Sequence, residues 1–279
     1  MMPAIPTAPC SSPFDAIAEQ YDATFSSSII GQLQRGAVWD ALVKSFRPGS
    51  RILDLGCGTG VDACFLAERG MNVIACDKSV QMLRVAGRRI AGLPHTAGSV
   101  QLRLLPAEEL SILSIDGRFD GAYSNFGAVN CVGDIAKLAS DLGLLLKPRA
   151  NLLLCLIGPV CAWETVWYLL HGNPGKAFRR FHGRSVPAKL EGSEAFDVYY
   201  RSVRSIQSVC APDFCLKSIR GIGVAVPPSY VEPWARRFPA IVRLGASADR
   251  YLGFCPGIRG LADHVLLRFE RTAQEGNGV

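Results

Sequence analysis

A glycine-rich loop and an acid downstream of it are the residues whose types and spacing most clearly indicate chemistry. The loop, LDLGCGTG, occupies residues 53–60, and Asp77 follows Gly58 at a distance of nineteen residues. Glycines let the backbone turn sharply and approach a ligand closely, and the start of a following helix presents free N–H groups. A carboxylate about twenty residues further along suits the hydroxyls of a ribose. The spacing therefore predicts a nucleoside-binding site.

Two residues near this loop help to distinguish the cofactors that such a site binds. The dinucleotide fingerprint GxGxxG requires a glycine at position 61, where the chain has Val61. Asp54 lies two residues before the first glycine, where an acid would repel a pyrophosphate but suits a cofactor with an ammonium and a sulfonium. The charge argument favours S-adenosylmethionine (SAM) over NAD. An NAD(P)-linked oxidoreductase and a non-catalytic SAM-binding protein remain as alternatives.

Alternating strands and helices must position the loop. Short apolar runs that end in turns predict strands, while apolar residues at spacings of three and four predict helices after Gly60, Ser79 and Asp134. Parallel strands require helical crossovers, so the pattern predicts an α/β fold with a Rossmann-like, doubly wound sheet. The predicted strands are 51–55, 71–76, 100–104, 119–124, 151–157, 214–224 and 264–271.

The same patterns predict one domain with a tail and an insertion. Residues 1–13 are rich in proline and serine and predict a flexible tail, whereas residues 14–279 predict a single domain. Within that domain, residues 158–212 lack a clear alternation of strand and helix. We interpret this stretch as a helical insertion after the fifth strand that covers the substrate.

Several motifs together resemble class I SAM-dependent methyltransferases of the type 11 group, whose members include the ubiquinone/menaquinone methyltransferases and the malonyl-carrier methyltransferase of biotin synthesis. LDLGCGTG resembles the family's first motif, and FDAIAEQYD at residues 14–22 is similar to its FDxIAxxYD segment. AEEL at residues 107–110 resembles its DAExL segment, with Pro106 where the family has an acid. NFG at residues 125–127 resembles the fourth-strand motif, and LKPRA at residues 146–150 replaces LKPGG.

The resemblance implies a SAM site at the carboxyl ends of the strands. It implies that the glycine loop wraps the methionine moiety, that Asp77 binds the ribose and that Tyr21 borders the cofactor. It assigns the adenine contact to the backbone of Ala107 or to Glu108. It also implies that the last two strands form an antiparallel hairpin at the sheet edge. The candidate cofactor-binding residues are Tyr21, Asp54, Gly56, Cys57, Gly58, Gly60, Asp77, Lys78, Ala107, Glu108 and Asn125.

The implied activity is transfer of a methyl group to an oxygen, nitrogen or carbon atom of a small molecule. Such a transfer is an in-line displacement at an activated carbon, so the protein must mainly align the reactants and exclude water. A general base is needed only where the acceptor must lose a proton. We interpret His95 as a surface residue and His264 as a structural one. The candidates for a base or a substrate contact are His171, His182, Tyr199 and Tyr200.

Residues 161–190 combine aromatic and basic side chains. Between His171 and Leu190 the sequence contains no acid. Three interpretations compete: a solvated cover over the pocket, a site for an anionic group of the substrate, and a peripheral contact with a membrane surface that gives access to a lipophilic substrate. The basic residues concerned are Lys176, Arg179, Arg180, Arg184 and Lys189.

Composition excludes several other classes of protein. The chain has 279 residues, 49% of them hydrophobic, and a net charge of +6 that is modest for a nucleic-acid-binding protein. Its ten cysteines include no CxxC pair, which argues against zinc and for free thiols in a reducing compartment. The N-terminus does not resemble a signal peptide, and the most apolar stretch, residues 142–160, is interrupted by KPR. We therefore expect a cytoplasmic protein without a metal ion, of unpredicted oligomeric state.

Overall fold

Seven of the described strands form one mixed sheet. The computed structural model describes residues 12–94, 98–182 and 185–273. The strands are β1 Arg51–Leu55, β2 Asn72–Asp77, β3 Ser99–Leu104, β4 Phe119–Ser124, β5 Leu146–Ile157, β6 Ser185–Lys189, β7 Ala195–Tyr199, β8 Phe214–Ile222 and β9 His264–Arg271. The sheet has the order β3-β2-β1-β4-β5-β9-β8, in which β1 to β5 are parallel and β9 is antiparallel to both neighbours. The predicted doubly wound sheet with an antiparallel edge is confirmed.

Helices cover both faces of this sheet. The α-helices are α1 Ala18–Tyr21, α2 Ile29–Ser45, α3 Val61–Ala67, α4 Val80–Ile90, α5 Ile135–Leu145, α6 Ala162–Leu170, α7 Pro174–Ala177, α8 Val203–Cys210, α9 Glu232–Arg237 and α10 Pro239–Leu252. One hydrophobic core lies between the sheet and α5 with α8, and a second lies between the sheet and α2 with α3. A third, smaller cluster joins α2 to α9 and α10.

Side chains of β1 alternate between the two cores. Leu53 and Leu55 pack into the core on the α5 side, whereas Ile52 packs into the core on the α2 side. Because successive side chains of a strand point to opposite faces, Asp54 shares the face of Ile52. The acid therefore lies beneath α2 and α3, and this placement bears on its role below.

Two predicted helix starts are fixed by side-chain caps. The Ser79 hydroxyl accepts a hydrogen bond from the amide of Met82 at 3.0 Å, and the Asp134 carboxylate accepts one from Lys137 at 2.9 Å. Each cap satisfies an amide that the first turn of a helix leaves without an intrahelical partner. The starts of α4 and α5 are thus fixed by local chemistry, and both predictions are confirmed.

Two strands differ from their predicted bounds by more than one residue. β5 begins at Leu146 rather than at residue 151, because Arg149 adopts a left-handed conformation with φ 64° and a register shift lets Leu146 pair with Phe119. β8 ends at Ile222, since Gly223 turns the chain with φ 75°. Residues 147–150, which lie before the predicted strand, are therefore an irregular part of β5 itself.

The stretch interpreted as a helical insertion contains helices and a hairpin. It contains α6, α7, a 3-10 helix at Arg179–His182, the antiparallel pair β6–β7 and α8. Ile206 and Cys210 of α8 are buried in the same core as α5, so α8 belongs to the layer that covers the sheet. At the other end of the chain, residues 1–11 of the expected tail lie outside the described residues, and Ser12 is buried.

Candidate functional site

A cavity of about 280 Å³ opens at the carboxyl ends of β1, β2 and β4. This is the end at which open parallel sheets bind ligands. Its volume is near the lower end of the range of about 300–1,000 Å³ for small-molecule sites. The lining residues are Phe14, Tyr21, Leu55, Gly56, Gly58, Asp77, Lys78, Met82, Leu105, Ala107, Glu108, Asn125, Phe126, Gly127, Ala128, Val129, Cys131, Val132, Ile157, Phe196 and Val198.

The glycines of the loop have different physical roles. Gly56 and Gly58 both adopt left-handed conformations, with φ 71° and 54°. A Cβ at Gly56 would lie 2.4 Å from the Cβ of Ala128, so this glycine is required by packing within the protein. Around Gly58, no non-neighbouring atom of the described residues lies within 4 Å of the Cβ position. Gly58 therefore leaves space on the cavity side, as a ligand that approaches the backbone requires.

Asp77 connects the loop to the start of α4. Its Oδ2 accepts a hydrogen bond from the amide of Gly58, and its Oδ1 accepts one from the amide of Ser79, both at 2.8 Å. Burial raises the pKa of Asp77 above its ordinary value, although these amides oppose that effect. A carboxylate held by backbone amides at the cavity wall retains lone pairs that suit the two hydroxyls of a ribose.

Asn125 contributes a polar atom that lacks a partner. Its Nδ2 donates to Asp62 Oδ2 at 2.9 Å, while its Oδ1 is buried with no hydrogen-bond partner among the described residues. Asp62 is itself fixed by Arg35 at 2.6 Å and by the Trp39 indole at 2.7 Å. Because buried polar atoms are nearly always satisfied, Asn125 Oδ1 fits an N–H donor such as the ammonium of a methionine moiety.

Two aromatic residues border the cavity near this network. Burial raises the pKa of Tyr21 to about 12, so its hydroxyl remains neutral near neutral pH. Phe126 has a left-handed backbone, φ 51°, which a non-glycine residue rarely adopts. Its ring packs edge-on against Phe25 at 5.3 Å and against His264 at 5.4 Å. The strained turn at the end of β4 thereby places an apolar wall opposite the glycine loop.

The cavity is covered by a β-hairpin within residues 158–212, a stretch that was predicted to cover the substrate but to be helical. Phe196 and Val198 point from β7 into the cavity, and the Phe196 ring lies 5.3 Å from that of Phe14. The N-terminal segment and the β6–β7 hairpin thus close over the carboxyl end of the sheet. The alternation of Phe196, Val198 and the intervening Asp197, after a turn at Gly192 with φ 74°, is a strand signal that could have revealed the hairpin.

Eight of the predicted cofactor residues line this cavity, and three do not. Asp54 is buried below the loop, where it accepts a hydrogen bond from the Tyr123 hydroxyl at 2.8 Å, and burial raises its pKa well above the ordinary value. Asp54 therefore does not line this cavity, and its contact with a cofactor stays a prediction. Gly60 caps α3, where a Cβ would lie 3.0 Å from that of Ala86. Cys57 lies in the loop but is not part of the wall.

Three of the four candidates for a base or a substrate contact do not line the cavity. His171 is exposed, with its ring stacked on Trp167 at 4.3 Å. Tyr199 packs against the Arg201 guanidinium at 4.5 Å, and Tyr200 lies beside Arg180 at 5.6 Å. These three residues pack within the cover and do not line the cavity. His182 ends a 3-10 helix, its side chain and His95 lying outside the described residues.

Two of the five basic residues, Arg179 and Arg180, are paired with acids outside residues 171–190. Glu164 accepts hydrogen bonds from Arg179 at 2.8 and 2.9 Å and from Arg180 at 2.6 Å, and Arg180 also contacts Asp263 at 3.0 Å. Burial alone would raise the pKa of Glu164, but these arginines lower it below its ordinary value. The absence of acids between residues 171 and 190 did not leave Arg179 and Arg180 free, so their predicted role in anion binding is not supported by this geometry.

The described residues contain neither a side-chain cluster suited to a metal ion nor a helix suited to cross a membrane. In the described ranges, no group of three or more His, Cys, Asp and Glu side chains is arranged to hold a metal ion. None of the described helices is long and apolar enough to cross a lipid bilayer.

Comparisons with known proteins agree with this geometry. The family described as a methyltransferase domain matches residues 52–149. The demethylmenaquinone methyltransferase of Beutenbergia cavernae is 34% identical over 194 residues, which cover 68% of this chain and 73% of that protein. That of Renibacterium salmoninarum is 30% identical over 230 residues, or 78% and 90% of the two chains. Against the Streptomyces avermitilis enzyme, at 34% identity, the chain spans 57% of the relative's length.

Solved structures share the fold at lower identity. A putative SAM-dependent methyltransferase from Listeria monocytogenes aligns with a TM-score of 0.58 and 20% identity, over 85% of this chain and 96% of that one. The DhpI complex with S-adenosylhomocysteine aligns with a TM-score of 0.56 and 15% identity, over 94% of both chains. At these identities the likeness concerns the fold, and it agrees with the position of the cavity at the end of the sheet.

Proposed function

The chain belongs to the class I SAM-dependent methyltransferases, and we propose that it methylates a lipophilic, quinone-like small molecule in the cavity at the carboxyl end of the sheet. The enzyme uses SAM, and the NAD(P)-linked and non-catalytic alternatives are not favoured by the comparisons. The curated relatives are named for demethylmenaquinone, a lipophilic acceptor. The proposed class of acceptor is supported mainly by the residues that form the cavity wall.

We propose that the polar side of the cavity holds the cofactor. SAM supplies a methyl group that is already activated by its sulfonium. The open backbone at Gly58 admits the cofactor, and Asp77 accepts hydrogen bonds from its ribose. Asn125 Oδ1 accepts from its ammonium, and Ala107 with Glu108 borders its adenine. These assignments use atoms that line the cavity and that retain hydrogen-bonding capacity.

The apolar side of the cavity supports a lipophilic acceptor. Phe126, Ile157, Phe196 and Val198 line the cavity and carry no charged group. Burying a flat apolar ring against such residues is favourable by roughly 25 cal/mol per Å². The wall also excludes water, as transfer to a carbon, oxygen or nitrogen atom requires. This wall is the observation on which the choice of acceptor class rests.

We propose that alignment, rather than an ionised base, accounts for most of the rate. Burial raises the pKa of the Cys131 thiol and of the Tyr21 hydroxyl, so both wall residues stay protonated near neutral pH. Of the earlier candidates, His171, Tyr199 and Tyr200 do not line the cavity. A hydroquinone acceptor releases its proton to solvent as it is methylated, so the step requires no ionised side chain.

We further propose that residues 14–279 form one domain. We also propose that the cover contacts a membrane surface. Residues 161–182 expose Val166, Leu169 and Leu170 by 54%, 46% and 79%, and α10 exposes Ile241 and Leu244 by 55% and 72%. Within residues 161–182 and 229–263, the four carboxylates are buried, whereas the basic residues Lys176, Arg236, Arg237, Arg243 and Arg250 are exposed. Exposed apolar side chains beside cations suit the interface of an anionic bilayer.

The acceptor class is tested by following formation of S-adenosylhomocysteine with two matched acceptors. We expect turnover with a short-chain demethylmenaquinone in its reduced form and little turnover with a sulfonated naphthohydroquinone of similar ring size. Preference for the sulfonated acceptor would contradict the apolar wall as the acceptor site. Calorimetry with SAM, S-adenosylhomocysteine and NADH in parallel verifies the cofactor independently of turnover.

The membrane contact is tested by co-sedimentation with vesicles. Leu170→Glu and Leu244→Glu should weaken binding to phosphatidylglycerol vesicles, because each places a carboxylate on the apolar face. Ile115→Glu is the matched control, since Ile115 is 89% exposed and lies outside both segments. Equal binding by all three variants would remove residues 161–190 and α10 from the membrane contact.

A further inference from the structure

A second cavity, of about 320 Å³, lies between the end of α2, the edge strand β8 and its neighbour β9. It shares no lining residue with the cavity at the carboxyl end of the sheet. Its polar walls are formed by Lys44 and Ser45 of α2, Ser218 and Arg220 of β8, and Arg268 of β9. We refer to it below as the basic groove.

The sheet register brings the cations of the basic groove together. Ser218 pairs with Arg268 across β8 and β9, and Arg220 follows Ser218 by two residues on the same strand. Residues two apart on a strand share a face, so Ser218, Arg220 and Arg268 all project toward α2. Lys44 lies on the helix opposite them. The groove is therefore built from three cations that are fixed by regular secondary structure.

Arg220 is held in place without a salt bridge. Its Nη1 donates to the backbone oxygen of Ala37 at 2.9 Å, and its guanidinium lies 5.2 Å from the Phe254 ring centre. Its Nε is buried and has no hydrogen-bond partner among the described residues. Burial lowers the pKa of Arg220 below its ordinary value, although Asp40 and Asp249 oppose that effect.

The acids closest to Arg220 do not fill the groove. Asp40 and Asp249 both interact electrostatically with it. Asp249 is engaged by the amides of Ala225 and Val226, at 2.6 and 3.2 Å, and Asp40 is exposed on α2. Among the described lining residues there is no carboxylate. On the neighbouring part of β9, Glu270 pairs with Lys217, at 3.2 Å.

Two buried arginines of this chain, Arg35 and Arg180, are paired with carboxylates. Arg35 contacts Asp62 at 2.6 Å, and Arg180 contacts Glu164 at 2.6 Å and Asp263 at 3.0 Å. A guanidinium withdrawn from water is costly unless an anion compensates it. The basic groove brings the half-buried Arg220 and Arg268 and the exposed Lys44 together with no carboxylate among its described lining residues, so it suits an anionic ligand.

We propose that the basic groove binds a phosphate group. A phosphate offers several acceptor oxygens at once, which suits the fork of an arginine and the point charge of a lysine. The Arg220 Nε–H, Arg268 and Lys44 donate to it, and the Phe254 ring with Leu266 receives an adjoining apolar portion. The phosphate belongs either to a soluble phosphate ester or to the headgroup of a lipid.

The experiment compares the two sources on the same set of variants of the full-length protein. Calorimetry with inorganic phosphate and with glycerol 3-phosphate measures the soluble source. Co-sedimentation with phosphatidylcholine vesicles, with and without phosphatidic acid, measures the lipid source. The variants are Arg268→Gln and Lys44→Gln, and Arg84→Gln on the exposed face of α4 is the matched control. Lys44 is exposed on α2, so its substitution should leave the fold intact.

We expect each groove variant to weaken saturable binding by about tenfold or more, the usual effect of losing a hydrogen bond to a charged group. Arg84→Gln should bind like the wild type, and all variants should keep the wild-type affinity for SAM. Binding of the soluble anions identifies a free phosphate ester, and binding confined to phosphatidic acid vesicles identifies a headgroup. No saturable binding in either experiment, or equal binding by all variants, would overturn the proposal without affecting the proposed methyl transfer.

Discussion

The two sides of the cofactor cavity are built in different ways. On one side, the loop after β1 and the end of β2 present atoms that are fixed by short backbone contacts, such as those between Asp77, Gly58 and Ser79. On the other, Phe14, Phe196 and other apolar side chains meet across large separations in sequence. A polar site for a common cofactor depends on local geometry, whereas an apolar site for an acceptor depends on the packing of distant segments.

The largest expected effect concerns the local side. Gly58→Val should abolish detectable SAM binding, because the new side chain would occupy the open space in front of the loop. Calorimetry with SAM measures the loss. Gly49→Val is a matched control, since Gly49 also has a positive φ, 82°, and an open Cβ position among the described residues. Both variants bear a similar strain, of about 1–3 kcal/mol. Loss of SAM binding in both would attribute the effect to strain instead of to the cavity.

The second effect concerns the anchoring of the cover. Glu164→Gln should lower the free energy of unfolding by about 3 kcal/mol, because it leaves Arg179 and Arg180 partly uncompensated in a buried site. Chemical denaturation measures this change. The exposed pair of Glu19 and Arg88 is the control, and Glu19→Gln should have little effect on stability.

The pH dependence of this anchoring has a defined sign. The pKa of Glu164 is lowered in the folded protein, so its contribution is present above the ordinary carboxyl range. That contribution is lost as the pH falls through the lowered pKa. The wild type should therefore lose more stability on acidification than Glu164→Gln does. If the free energy of unfolding changed with pH in the same way for both proteins, the Glu164 carboxylate would contribute little to the stability of the cover.

The third effect separates the two acids of the glycine loop. Asp77→Ala should weaken SAM binding by about 1–3 kcal/mol, or roughly 5- to 150-fold, whereas Asp54→Asn should leave the affinity nearly unchanged. Because burial raises the pKa of Asp77, SAM affinity should fall on acidification at a higher pH than an ordinary carboxyl would cause. Calorimetry over a pH series measures both. A larger loss for Asp54→Asn would restore the contact that the structure does not show.

Asp77 and Asp54 also show which parts of the site can be predicted from the sequence. The position of Asp77 could be predicted because a strand, a glycine loop and a fixed spacing determine it locally. Asp54 belongs to the same motif, but alternation along β1 turns it toward α2 and Tyr123, and a spacing argument does not include the face of the strand. The fold and eight of the lining residues could be predicted from the sequence in this way.

The structure of the cover was harder to predict from the sequence, for a physical reason. Phe196 contributes to the cavity by meeting Phe14, which is distant in sequence, and Arg180 is neutralised by Glu164 and Asp263 from other segments. Composition in a window describes the side chains but not the partners that tertiary packing provides. A basic stretch therefore suggested free cations where the fold supplies acids.

The smallest expected effect concerns the apolar side of the cavity. Phe196→Ala should raise the KM for a lipophilic acceptor by roughly five- to thirtyfold, equivalent to about 1–2 kcal/mol of lost apolar contact. Its SAM affinity should stay near the wild-type value, because Phe196 lies on the hairpin and not on the glycine loop. Steady-state kinetics and calorimetry on the same preparation measure the two quantities. Phe178→Ala, an exposed aromatic of the same cover, is the control and should change neither. If Phe196→Ala weakened SAM binding and left the acceptor KM unchanged, the hairpin would belong to the cofactor side, and the division of the cavity into two sides would fail.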